Sequence, residues 1–117
     1  MHDPVSQFLA QRGAAPQLVA GGAPALLGRW RDFVNQVESG YALGLEDYRN
    51  DLDLRTLIAL AGIAPQVAED DARLLALLTR TDLEIWSSDA EDAWWTRGYP
   101  INAGATLIED LQAEGIL

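Results

Sequence analysis

Asp51 and Asp53 stand two residues apart between Arg49 and Arg55, in the run Glu46-Asp47-Tyr48-Arg49-Asn50-Asp51-Leu52-Asp53-Leu54-Arg55. Two carboxylates at that spacing can hold one divalent cation when a loop turns both inward. The surrounding pattern predicts a helix instead, and on a helix residues two apart point about 200° away from each other. The pair then cannot share an ion. Each carboxylate is expected to meet an arginine one turn away, Arg49 with Asp53 and Arg55 with Asp51. Exposed pairs of this kind contribute ~0.2–0.5 kcal/mol each. Tyr48, Arg49, Asp53 and Arg55 are therefore assigned a structural role, and partial burial of Arg55 against Tyr48 or a tryptophan would raise its structural stake. Asn50 either holds a neighbouring loop or faces solvent.

Other chemistry-bearing groups are few. Cysteine and lysine are absent, and the single histidine is His2. Thiolate chemistry, multi-histidine metal sites and histidine acid–base catalysis are thereby excluded. Ser6, Ser39, Ser87 and Ser88 have no histidine or lysine to activate them. Gly21-Gly22 and Gly40…Gly44 lack the lysine and strand context of a phosphate loop. The expectation is a protein without catalytic residues, metal or cofactor.

What remains is acid and aromatic. Asp47, Asp51, Glu69, Asp70, Asp71, Asp89, Glu91 and Asp92 form acidic clusters, the last three just before Trp94 and Trp95. Acids at a helix start are also favoured locally by the helix dipole, which accounts for Glu69-Asp70-Asp71 without any ligand. Tryptophan is enriched in interface hot spots. These acids, with Trp94 and Trp95, are the candidate partner-binding residues.

Eighteen acidic residues against eight arginines give a net charge of −10. Such a surface repels phosphate backbones and anionic membranes, and attracts a basic protein. The same charge also serves solubility. Arginine in place of lysine suits bidentate pairing with carboxylates, including pairs internal to the domain. No apolar run reaches the ~20 residues that cross a bilayer, and Met1-His2-Asp3-Pro4 lacks the features of a signal peptide, so a bacterial cytoplasmic location is expected.

A chain of 117 residues has the size of one domain. Asp3 followed by Pro4 predicts an N-cap and a short helix carrying Val5, Phe8 and Leu9. Residues 13–24 are rich in Gly, Ala and Pro and read as a loop, dividing the chain into an N-terminal helix and arm (1–22) and a helical domain (23–117). Leu27, Trp30, Val34, Val37 and Tyr41 step at helical spacing after Pro24. A third helix runs from Leu45 or Glu46 to Gly62. A fourth starts between Pro65 and Glu69, passes Leu74, Leu75, Leu77 and Leu78, and either breaks near Thr79–Thr81 or continues to Trp86. Leu83-Glu84-Ile85-Trp86 reads as a strand or as a short helix. Ser88-x-x-Glu91 has capping-box spacing. Trp94 to Pro100 reads as an extended aromatic connector, with one of the paired tryptophans in the core, and a last helix spans about 103–113. The fold expected is all-α, a compact bundle of five to six helices.

Trp30 and Val34, Gly40-Tyr41, the Glu46–Arg55 run, Asp82, Trp94-Trp95-Thr96-Arg97 with Pro100, and Leu107…Asp110-Leu111 resemble the immunity proteins of bacterial polymorphic-toxin and contact-dependent-inhibition systems. The likeness covers about residues 26–115, with Tyr-x-Asn-Asp-Leu-Asp-x-Arg its most distinctive piece. It implies a small helical protein that binds and neutralises one cognate protein toxin. Many toxin domains are basic nucleases, which an acidic inhibitor complements. The alternative expectation is a structural or adaptor protein acting as a homodimer through the tryptophan segment or the N-terminal helix.

Overall fold

The computed structural model describes residues 4–117. His2 and the expected cap Asp3 lie outside them. The helices are α1 (Pro4–Gln11), α2 (Pro16–Ser39), α3 (Leu45–Leu60), α4 (Ala68–Leu75) and α5 (Ala105–Ala113). Two strands, β1 (Leu78–Glu84) and β2 (Arg97–Pro100), pair antiparallel. Short 3-10 turns occupy Ala64–Val67 and Trp94–Thr96. The fold is mostly helical with a small sheet, which corrects the all-α expectation.

The sheet forms where the leucine run gives way to Thr79, Thr81 and Ile85, whose branched side chains favour extended backbone. Leu78 pairs with Pro100, Thr79 with Tyr99 and Glu84 with Arg97, with a bulge between Thr79 and Glu84. Arg80 in the bulge has φ 52°. The Ile85 N–H continues the pairing onto the Thr96 carbonyl at 2.8 Å. The helix expected through Leu78 thus stops at Leu75.

Residues 16–21, expected as loop, belong to α2. Pro16 sits in the first turn, where its missing N–H costs nothing. Gly22 then leaves helical geometry (φ 59°, ψ −146°) just before Pro24. A residue without Cβ absorbs that kink. Glycine and proline thus mark a sharp kink between two helical stretches, residues 16–21 and 23–39, that α2 spans together. Val5, Leu9 and Leu18 reach the same core as Trp30, Tyr48 and Leu107.

α3 is the central element. It buries Leu45, Tyr48 and Leu52 together with Arg55, Thr56, Leu57 and Ile58, so more than one of its faces is covered. Phe33 of α2 lies 5.7 Å from the Tyr48 ring and 5.8 Å from Tyr41, contacts that fix α2 against α3. The segment before α5 closes the bundle. Asn102 donates its side-chain amide to the Val37 and Glu38 carbonyls at 2.6 and 3.2 Å, and Gly104 N–H meets the Tyr41 carbonyl at 2.7 Å. The Asn102 bonds add donors in the last turn of α2, where the Val37 carbonyl also accepts the Gly40 N–H, and the Gly104 bond ties down the segment that follows the helix. Among the described residues, no helix is long and apolar enough to cross a membrane.

Candidate recognition face

α3 carries two arginines that meet different surroundings. Arg55 is buried, and its Nε and Nη2 donate to both oxygens of Asp71 at 2.9–3.1 Å. The Trp30 indole N–H adds a further bond to Asp71 at 3.1 Å. The Trp95 ring covers the guanidinium at 4.5 Å from its centroid. The Trp95 indole N–H in turn donates to Thr56 Oγ1, 2.7 Å from Ser88 Oγ. Ser88 Oγ also accepts the Ala90 N–H, so Ser88 organises a turn without the expected capping-box helix.

Arg49 lies nearer solvent. Its Nε donates to the Ile85 carbonyl at 2.9 Å and its Nη1 to Glu114 at 3.1 and 3.2 Å, with the guanidinium 5.9 Å from the Trp86 ring centroid. It borders a cleft of about 510 Å³ between α3 and α5, lined by Leu45, Glu46, Asn50, Trp86, Asp110, Ala113 and Glu114 as well. A second cleft of about 420 Å³ shares Arg49 and Trp86 and adds Glu84, Ile85 and Ser87. Asp110 accepts the Leu45 N–H at 3.0 Å, capping α3 from another helix. A Cβ on Gly44 would lie 2.6 Å from that Asp110 oxygen, so the bare backbone admits the cap.

The expected i,i+4 pairs do not form. Arg55 turns to Asp71 and Arg49 to Glu114 because each tertiary partner offers both carboxylate oxygens, for Arg55 in drier surroundings as well. Asp51 instead accepts the Tyr41 hydroxyl at 2.9 Å. Desolvation holds the Asp51 carboxyl above its ordinary value; the Tyr41 hydrogen bond opposes this and Asp47 adds to it. Asp53 is exposed, and desolvation also raises it, opposed by Arg12 and reinforced by Asp89. Burial, with the Asp51 charge, raises the Tyr41 and Tyr48 hydroxyls far above the usual phenol range.

Several candidate partner-binding residues are occupied internally. Asp70 is buried and takes Arg31 and Arg73; Asp71 takes Arg55 and Trp30. Trp95 is buried, and Trp94 is half-buried edge-on against it at 5.8 Å. Asp89 pairs with Arg12. Asp47, Glu69, Glu91 and Asp92 remain exposed, with no ion pair among the described residues.

A wider pattern emerges from the pairing. Arg12, Arg31, Arg49, Arg55, Arg73 and Arg80 are each held by a carboxylate. Arg29 and Arg97 have no ion pair among the described residues. Against them stand exposed Asp32, Glu46, Asp47, Asp53, Glu69, Glu84, Glu91, Asp92 and Glu109. The outer charge is overwhelmingly negative. Among the described residues no three or more His, Asp or Glu side chains converge as metal ligands. The Thr56 and Ser88 hydroxyls have each other, an indole and a backbone amide as partners, with no base.

Glu46, Trp86, Asp110 and Glu114 were not singled out as partner-binding residues from sequence. The i,i+4 spacing of Asp110 and Glu114, which puts both on one helix face, was the available signal. No family model, no curated protein and no solved structure matches this chain.

Proposed function

We propose that this chain is a non-catalytic immunity protein that binds and neutralises a basic protein toxin in the bacterial cytoplasm. The observation that carries the reading is the internal consumption of arginine. Six of the eight arginines are tied to carboxylates of the same chain, while many acids face outward with no ion pair among the described residues. A surface of that kind steers a basic partner and raises its association rate. The resemblance of the Glu46–Arg55 run and the tryptophan segment to immunity proteins supplies the identity of the partner as a toxin. The test is co-expression with the product of the adjacent gene, measuring growth and complex formation. Protection and a complex support the proposal; neither protection nor a complex overturns it.

A homo-oligomeric adaptor is the second reading, and a different observation favours it. Leu75 and Ile101 are 52% and 63% exposed. The Ile101 N–H bonds to the Leu77 carbonyl, which sets Ile101 just beyond the end of α4. Exposed apolar side chains of this kind suit a self-interface better than the largely buried tryptophan segment does. Sedimentation equilibrium decides: a mass that rises with concentration favours the adaptor, and a monomer at every concentration removes it.

A further inference from the structure

The α3–α5 cleft already displays how it handles a guanidinium. Arg49 lies in its wall with a carbonyl at its Nε, a carboxylate at its Nη1 and an indole face beside it. One turn before Arg49 on α3, Glu46 is exposed and has no ion pair among the described residues. Asp110 uses Oδ2 for the Leu45 N–H, and its Oδ1 accepts no hydrogen bond among the described residues. The lining therefore holds three carboxylates, Glu46, Asp110 and Glu114, against the single cation Arg49. Its volume of about 510 Å³ falls in the range of sites that enclose a ligand group.

We infer that this cleft receives an arginine side chain of the basic partner, which pairs with Glu46 and Asp110 alongside Trp86. The inference rests on the proposed acidic recognition of a protein and adds the place and the side chain. An uncompensated pair of carboxylates calls for a cation and repels phosphate or carboxylate ligands. Arginine fits better than lysine, because its planar fork can donate to two carboxylates at once. Its weaker hydration also eases stacking beside an indole.

The experiment is a two-dimensional amide NMR titration of the intact chain with two arginine probes, acetyl-Gly-Arg-Gly-amide and hexa-arginine amide, and with the lysine counterpart of the tripeptide as control. The tripeptide is expected to shift the Trp86 indole N–H and the Glu46 amide in a saturable way. The lysine tripeptide should bind about threefold more weakly, the scale of one exposed cation–aromatic contact. Glu46→Lys should abolish the tripeptide shifts while leaving the remaining spectrum folded, and Asp110→Asn, which can still accept the Leu45 N–H, should weaken them. If hexa-arginine moves amides at Glu69, Glu91 and Asp92 while the tripeptide leaves Trp86 and Glu46 unmoved, the cleft assignment is overturned and the acidic-face reading stands. If neither probe moves any resonance at low salt, both fall. Equal binding of the lysine tripeptide overturns the choice of arginine.

Discussion

α3 presents an arginine, a carboxylate and a tryptophan twice, at two depths. In the Arg55–Asp71 pair the side chains are 6% and 16% exposed, and Trp95 lies 4.5 Å away. In the Arg49–Glu114 pair they are 24% and 47% exposed, and Trp86 lies 5.9 Å away. The residue types are the same, yet the consequences differ. A dry pair is costly to break because the survivor is left charged and unsolvated, whereas a wet pair exchanges its partner for water at little cost. The inner centre therefore fixes α3 to α4 and α2. The outer one can trade its contacts with an incoming molecule.

The strongest challenge to this contrast is Asp71→Ala. It strands the Arg55 guanidinium and the Trp30 indole together and is expected to cost about 3–5 kcal/mol in urea unfolding. A loss under about 1 kcal/mol would place the two centres in one class. Next is the outer pair: Glu114→Ala should cost about 0.2–1 kcal/mol, and a double-mutant cycle with Arg49→Ala should show a coupling that fades with added salt. The Arg55–Asp71 coupling, measured alike, should keep most of its size at high salt.

A smaller effect lies between the two centres, at Asp51. Desolvation raises its carboxyl in the folded chain, so the folded state binds a proton more readily than the unfolded state just above the ordinary value of 3.8. Its contribution thus makes the protein less stable as pH rises through the folded-state value. Glu38 and Asp82, lowered by hydrogen bonds from Arg73 and Arg80, act in the opposite direction. The prediction is accordingly a difference. Asp51→Asn, which can still accept the Tyr41 hydroxyl, should melt at or above the wild-type temperature at pH 7. The gap should close as pH falls toward 4; a lower melting temperature at pH 7 would refute the assignment.

The periodic parts of the chain were readable. Trp30, Val34, Val37 and Tyr41 are buried as their spacing predicts, and α3 and α5 fall close to their expected bounds. One of the paired tryptophans is in the core, as their spacing required, and Arg55 does lie against a tryptophan. The sheet was readable only in part: Leu83-Glu84 of the strand-or-helix stretch falls in β1 and the extended connector contains β2, but Leu74 to Leu78 carries a helical pattern and β2 has only four residues. The partners of Arg49, Arg55 and Asp71 were hidden for another reason. They depend on where α4 and α5 land on α3, and local spacing favoured the i,i+4 pairs that tertiary contacts displace. Asp70 and Asp71 looked like surface acids because helix-start acids usually are; their burial comes from the packing of α4 on α2.

The bonds from Asn102 to α2 and from Asp110 to α3 each reach across a sequence separation of 64 or 65 residues. Long-range closures of this kind slow the search for the native state and join distant pieces into one cooperative unit. A chain still emerging from the ribosome can form the body of α2 and α3, but their facing ends wait for residues 102–110. Those ends therefore close only after that segment has been made, and the rim of the α3–α5 cleft is assembled in the same step.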